Sequence, residues 1–303
     1  MPLQFQNLRK PLEVWRANAF TSTAFAGNPA GVVPMAEGLT DEKMQKIAFE
    51  LNNLSETAFI LAPTVPGADL RLRFFTSTTE VDLCGHATMS ALFALHWTRQ
   101  VNGRDETIKL KAQTNVGILT LALVFEGPAL RQAVMEQLEP QQGPDVDPAL
   151  AASVLGLSAD DLDPGLAPGC AYSGLWAAFV PLRSTEALAR VRIDREKIAR
   201  LWPDNPEFTG IYPFTFLDTE TTRGRFFSPP KYGIVEDPAT GTASGALGGF
   251  LIGRDRFPKG GTLLARQGVE MGRPSEIRVS QNANGRMSVS GHAVPIFRGE
   301  MVA

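Results

Sequence analysis

Apolar positions recur along the chain with two distinct periods. From Asp41 to Leu51, the residues Met44, Ile47, Ala48 and Leu51 fall at i, i+3, i+4 and i+7. Thr40 stands where a cap belongs and Asp41 and Glu42 occupy the first turn, so an amphipathic helix is predicted. Glu56 to Leu61 reads as a strand, as does Gly210 to Leu217, where Pro213 is expected on an edge or at a bulge. After an Asn282-Ala283-Asn284-Gly285 turn, alternation through Phe297 predicts a closing strand pair that returns to the first half of the chain. Pro128 to Pro168 carries turn-rich stretches, and Glu139 to Pro144 is the expected linker between two lobes.

The same order of elements occurs twice. Arg73-Phe74-Phe75 leads to Gly85-His86-Ala87-Thr88 and then to a helical run, and Arg225-Phe226-Phe227 leads to Gly241-Thr242-Ala243-Ser244 and another. A four-residue loop insertion accounts for the longer second spacing. Upstream, the helix and strand of the first copy are matched by Asp194 to Leu201 and by Gly210 to Leu217. Downstream, Lys111 to Gly117 before an apolar run is matched by Arg266 to Gly272. Strand-rich copies interrupted by helices predict an α+β unit used twice, with a first lobe over 1–127, completed by a strand in 286–303, and a second over 128–285.

Composition narrows the partners. The 303 residues carry 29 Lys plus Arg against 32 Asp plus Glu, a balance that offers no electrostatic footprint for nucleic acid or an anionic membrane. No apolar run approaches the length that spans a bilayer, and Met1 to Lys10 lacks the apolar core of a signal peptide. Two cysteines, Cys84 and Cys170, are too few for a disulfide framework, and no Cys or His spacing matches a zinc site. A cytoplasmic protein is expected.

Each copy places a glycine where a helix begins. Helix starts expose unpaired N–H groups and a positive dipole end, so Gly85 and Gly241 are expected to hold a small anion such as a carboxylate in a metal-free cleft between lobes. Cys84 and His86 lie at the first start, Glu236 and Asp237 at the second, and Glu56 at the edge of the first-copy strand. Carboxylates beside oriented dipoles in a desolvated cleft are suited to moving protons. Cys84 reads as a small buried packing residue, because residues two apart on a turn need not face each other and a Cys84–His86 pair is awkward. Gly241 to Gly245 lacks the lysine of a phosphate-binding loop and does not match a dinucleotide fingerprint.

Four segments carry a family resemblance: Phe25 to Val33, Asn53 to Phe59, Glu80 to Thr88 and Glu236 to Gly245. In that order they resemble the PhzF family, the phenazine-biosynthesis-like isomerases and epimerases, over essentially the whole chain. The resemblance implies an α+β diaminopimelate-epimerase-like fold: two similar lobes, each a curled mixed sheet or barrel around a central helix, with the active site between them. It implies a cofactor-independent, metal-free isomerase that moves a proton between carbons of a small carboxylate-bearing substrate, working as a homodimer. Glu56 falls on the general acid/base, His86 and Asp237 on positions that bind or polarise substrate, and Gly85 and Gly241 on those that hold its carboxylate. Thr242 replaces the family's serine after the second turn glycine, and Asn28 matches a further substrate-binding position. Two alternatives stand beside this reading: an amino-acid epimerase or racemase using Cys84 and Asp237, and a non-catalytic ligand-binding or protein-interaction member of the fold.

Overall fold

Two helices that are apolar on every side organise the molecule. In a computed structural model describing residues 11–52, 56–232, 235–258 and 261–302, Gly85 to Leu95 and Gly241 to Leu251 are buried without a polar face. Such helices need a sheet around them rather than beneath them.

The chain divides into two compact units, one formed by 1–25, 29–133 and 292–303, the other by 26–28 and 134–291. The first unit contains β1 (Leu12–Ala19), most of β2 (Asn28–Val33), α1 (Asp41–Asn52), β3 (Thr57–Leu61), β4 (Leu70–Phe75), β5 (Glu80–Val81), α2 (Gly85–Trp97), β6 (Thr107–Thr114) and β7 (Gly117–Glu126). Strand β8 (Ala129–Glu136) runs across the boundary. The second unit continues with β9 (Gln141–Asp145), α3 (Pro148–Leu155), β10 (Gly169–Tyr172), β11 (Trp176–Pro181), α4 (Thr185–Arg190), β12 (Phe208–Phe216), β13 (Thr221–Gly224), β14 (Phe226–Phe227), β15 (Glu236–Asp237), α5 (Gly241–Ile252), β16 (Thr262–Gln267), β17 (Ser275–Gln281) and β18 (Met287–Gly291). The last strand, β19 (Ala293–Met301), pairs with β1 in the first unit.

Strand pairing repeats element by element. In the first unit β2 and β3 are parallel, β3 and β4 antiparallel, β4 and β6 parallel, and β6 and β7 antiparallel. In the second, β11 and β12 are parallel, β12 and β13 antiparallel, β13 and β16 parallel, and β16 and β17 antiparallel. Helix α5 packs on β10 and β11 and also on β17 and β18, so this sheet wraps the helix, yet it does not close into a barrel. Gly248 lets it do so, since a Cβ there would lie 2.6 Å from the Met287 methyl and 2.8 Å from Val279. The fold is the α+β arrangement expected, with open sheets in place of barrels.

Helix α1 forms as its periodicity predicts, with Lys43 N–H donating to the Thr40 hydroxyl and Met44, Ile47, Ala48 and Leu51 buried against Val33, Phe59 and Phe75. Four local expectations change. Pro213 lies inside β12, flanked by β11 on one side and by β13 and β14 on the other. The register is the same at Phe214↔Gly224 and Ile211↔Phe227, and the missing proline N–H only leaves a gap in the ladder, where Arg225 N–H still donates to the Pro213 carbonyl. The expected linker is largely β9, which pairs with β10, and its proline fits because an edge strand needs few ladder donors. The two strands of the tail do not pair with each other: β18 continues the hairpin from β17, and β19 joins β1. The predicted second-copy helix is a 3₁₀ segment over Arg195–Leu201, preceded by the short α4. Met1 to Lys10 and the motif residues Asn53, Leu54 and Ser55 lie outside the described residues.

Candidate active site

Both helix starts are built by the same local device. Arg73 in β4 donates from Nε and Nη2 to the two oxygens of Glu80 at 2.8 and 2.6 Å, with its guanidinium over the Phe75 ring and its remaining nitrogen on Asp41 of α1. Arg225 donates from Nε and Nη2 to the two oxygens of Glu236 at 2.8 Å each, stacks over Phe227 and donates to the Leu188 carbonyl of α4. Each fork fixes the short strand that ends four residues before its helix glycine. Glu236 is therefore an anchor rather than a reactive group. Neither Cys84 nor Thr240 makes a side-chain cap hydrogen bond at its helix start.

In the first unit, Glu56 sits at the entry to β3, where its carbonyl accepts from Gly31 N–H of β2. Its Oε2 lies 3.3 Å from His86 Nε2, with the carboxylate side chain 16% and the imidazole 10% exposed. Cys84 Sγ lies 3.4 Å from His86 Nδ1. The sequence reading kept this pair apart; an extended residue at the cap followed by the second helical residue brings the two side chains together. Burial alone would lower His86, but Cys84 and Glu56 outweigh it, and the ring is raised well above its ordinary value. Burial and the Glu56 charge push the Cys84 thiol up, so it is protonated at neutral pH.

The second unit holds a different chemistry on the same frame. Asp237 occupies the position that Val81 has in the first copy, four residues before the helix glycine. Its Oδ1 accepts from Asn28 Nδ2 at 2.7 Å and its Oδ2 from the Thr240 hydroxyl at 2.5 Å. Asn28 is buried and gives its other amide proton to the Ala239 carbonyl at 2.9 Å. Its segment is in turn held by Arg273, which donates to the Gly27 carbonyl. Both Asn28 protons are thus spent on the Asp237 loop. Gln267, fully buried, donates to the Asp237 carbonyl and the Thr240 hydroxyl and accepts from Thr240 N–H. Arg225 and Gln267 were not singled out from sequence; the signals were an arginine and a glutamate repeated around each glycine and a glutamine inside an apolar strand.

Thr242 is the second residue of α5, and its methyl faces Gly174. A Cβ at Gly174 would lie 2.7 Å from Thr242 Cγ2, and the backbone there has φ +129°, so glycine is required twice over. The added methyl is accommodated by a neighbour rather than left to crowd the helix start. Among the other histidines, His96 rests on Phe125 and His292 on Phe93, and Cys170 is buried in the second core.

The chain matches the model of phenazine biosynthesis-like proteins (PhzC-PhzF) over residues 17–299. The uncharacterized isomerase YfhB of Bacillus subtilis is 35% identical over 94% of this chain and 97% of its own length. The trans-2,3-dihydro-3-hydroxyanthranilate isomerase of Pseudomonas aeruginosa is 31% identical over 93% of this chain and 96% of its own. The crystal structure of a PhzF-family phenazine biosynthesis protein from Bacillus anthracis superposes with a TM-score of 0.83 at 29% identity, covering 97% of this chain and all of that one.

Proposed function

The chain belongs to the phenazine biosynthesis-like PhzC-PhzF family of isomerases, and we propose that it moves a proton between two carbons of a small carboxylate-bearing substrate, with Glu56 as general acid and base. The observation that carries this reading is the nearly enclosed Glu56–His86 contact at an uncapped helix start. Glu56 takes a proton from one carbon, and the charge that builds on the substrate is stabilised by the charged His86 and by helix-start amides. The protonated Glu56 then returns its proton to a second carbon. Each helix start is suited to hold a substrate carboxylate, the first through the Gly85 amide and the second through the Gly241 amide with the Thr242 hydroxyl beside it. Asp237, fixed by Asn28 and Thr240, accepts a hydrogen bond from the substrate and polarises it. Asn28 serves as a positioning residue for Asp237 rather than a direct ligand. Proton transfer of this kind requires no electron carrier, and the reading is of a cofactor-independent enzyme.

We also read it as a homodimer of a reducing compartment; two free, buried cysteines support the compartment, and family resemblance supports the dimer. No helix among the described residues is long and apolar enough to cross a membrane. The reaction is tested by incubating the protein in heavy water with a panel of unsaturated and α-amino carboxylates, beginning with trans-2,3-dihydro-3-hydroxyanthranilate, and following carbon-bound deuterium by NMR. Deuterium at a new carbon of one member supports the isomerase; exchange with inversion at a single carbon points to an epimerase; no exchange with any acid removes the reading.

A further inference from the structure

The proton-transfer reading leaves one group beside Glu56 and His86 without a task. Cys84 Sγ lies 3.8 Å from His86 Nε2, which is itself 3.3 Å from Glu56 Oε2, and ligating atoms of all three residues lie within 4.8 Å of one another. Around a tetrahedral zinc-like ion with bonds of ~2.0–2.3 Å, neighbouring donor atoms stand about 3.3–3.8 Å apart. The Glu56–His86 edge already has that length. Cys84 Sγ lies 3.4 Å from Nδ1 as well, against the ring, so the ion is reached by rotating the Cys84 side chain and the imidazole until the sulfur stands beyond Nε2. The donors are one sulfur, one imidazole nitrogen and one carboxylate oxygen, a set that favours zinc or cadmium over magnesium or calcium. Three protein ligands leave a fourth position open, and Cys84 and His86 are both buried.

We propose that Glu56, Cys84 and His86 form a capture site for a thiophilic divalent cation, and that capture arrests the enzyme. The ion bonds to the Cys84 sulfur, to His86 Nε2 and to a Glu56 oxygen, with water in the fourth position; the thiol proton and the imidazolium proton leave to solvent. Binding rests on the geometry alone. Arrest rests on the proposed function, because the ion occupies the proton carrier and its partner. Cys84 then sets the sensitivity of the site to metal rather than its chemistry.

The test uses cadmium alone as the probe and reads its sulfur-to-metal charge-transfer absorption in the ultraviolet, together with binding calorimetry on the full chain. The protein has two cysteines, so the band must come from Cys84, from Cys170 or from both. The expected result is one cadmium per chain in the native protein and in Cys170→Ser, with the band absent in Cys84→Ser. Affinity in His86→Gln and Glu56→Gln should fall by more than the 10–100-fold typical of losing an outer-sphere partner. Cys170→Ser keeps Cys84 as the lone thiol, so it decides the question even where Cys84→Ser does not fold. A band that follows Cys170, or affinity unchanged in His86→Gln and Glu56→Gln, overturns the site. Failure of the isomerase reading would appear separately, as absent deuterium exchange in metal-free native protein.

Discussion

Asn28 shows how the candidate site depends on side chains that hold one another in place. Its amide gives one proton to Asp237 and the other to the Ala239 carbonyl, inside the core. Asn28→Ala leaves an acceptor of each kind unmet, so stability should fall by about 1–3 kcal/mol in denaturant unfolding. Turnover should drop more than tenfold as Asp237 loses its orientation; unchanged turnover would make Asn28 a packing residue. The two cysteines also make contrasting predictions. Burial pushes the Cys170 thiol up to about 12, so at pH 8 its thiolate is on the order of 10⁻⁴ of the total and alkylation by iodoacetamide should be negligible in the folded protein. The folded thiol being raised, its contribution to stability is intact below the unfolded value near ~8.5 and declines as pH climbs from there towards 12. Rapid labelling of Cys170 at pH 8 would contradict this burial. Glu56, His86 and Asp237 were legible because each lies in a segment that carries the family pattern. The Cys84–His86 contact was not, since it depends on the φ and ψ of a helix cap, which residue spacing does not encode.

Helices and strands with a single buried face were the most legible elements. The spacing of Met44, Ile47, Ala48 and Leu51 fixes which side of α1 is buried, and the structure buries all four. Pro213 and β9 were misjudged for one shared reason: local propensity says where a backbone N–H is missing but not whether a neighbouring strand needs it. The repeated Arg–Glu forks bear on the elements they join. Arg225 is 8% exposed and Glu236 holds it with both oxygens, so Arg225→Met strands a half-buried carboxylate and should cost about 3–5 kcal/mol. Lys46→Ala, which breaks the pair with Glu42 on the exposed face of α1, should leave the unfolding midpoint unchanged. Equal loss in both variants would mean that the fork is no stronger than a surface pair.

The duplication was readable as a repeated order of elements, and the two units repeat the same series of parallel and antiparallel pairings. What the repeat could not reveal was the division of chemistry. One copy carries His86 after its glycine and the other Thr242, and one carries Val81 where the other carries Asp237. The only proton carrier proposed on this doubled frame is Glu56; the register of the second unit puts Gly210, which has no side chain, at the matching position. Substrate identity stayed out of reach of the sequence because the walls around such a site come from loops whose residues obey no periodic rule. The decisive measurement compares Glu56→Gln with the native protein, following deuterium transfer to whichever acid the native enzyme turns over and affinity for that acid by calorimetry. The variant keeps shape and hydrogen bonding but carries no exchangeable acid proton, so affinity should stay within a few fold while transfer falls by about 10²–10⁴. Transfer at the native rate would contradict the account and shift the proton to Asp237 and His86.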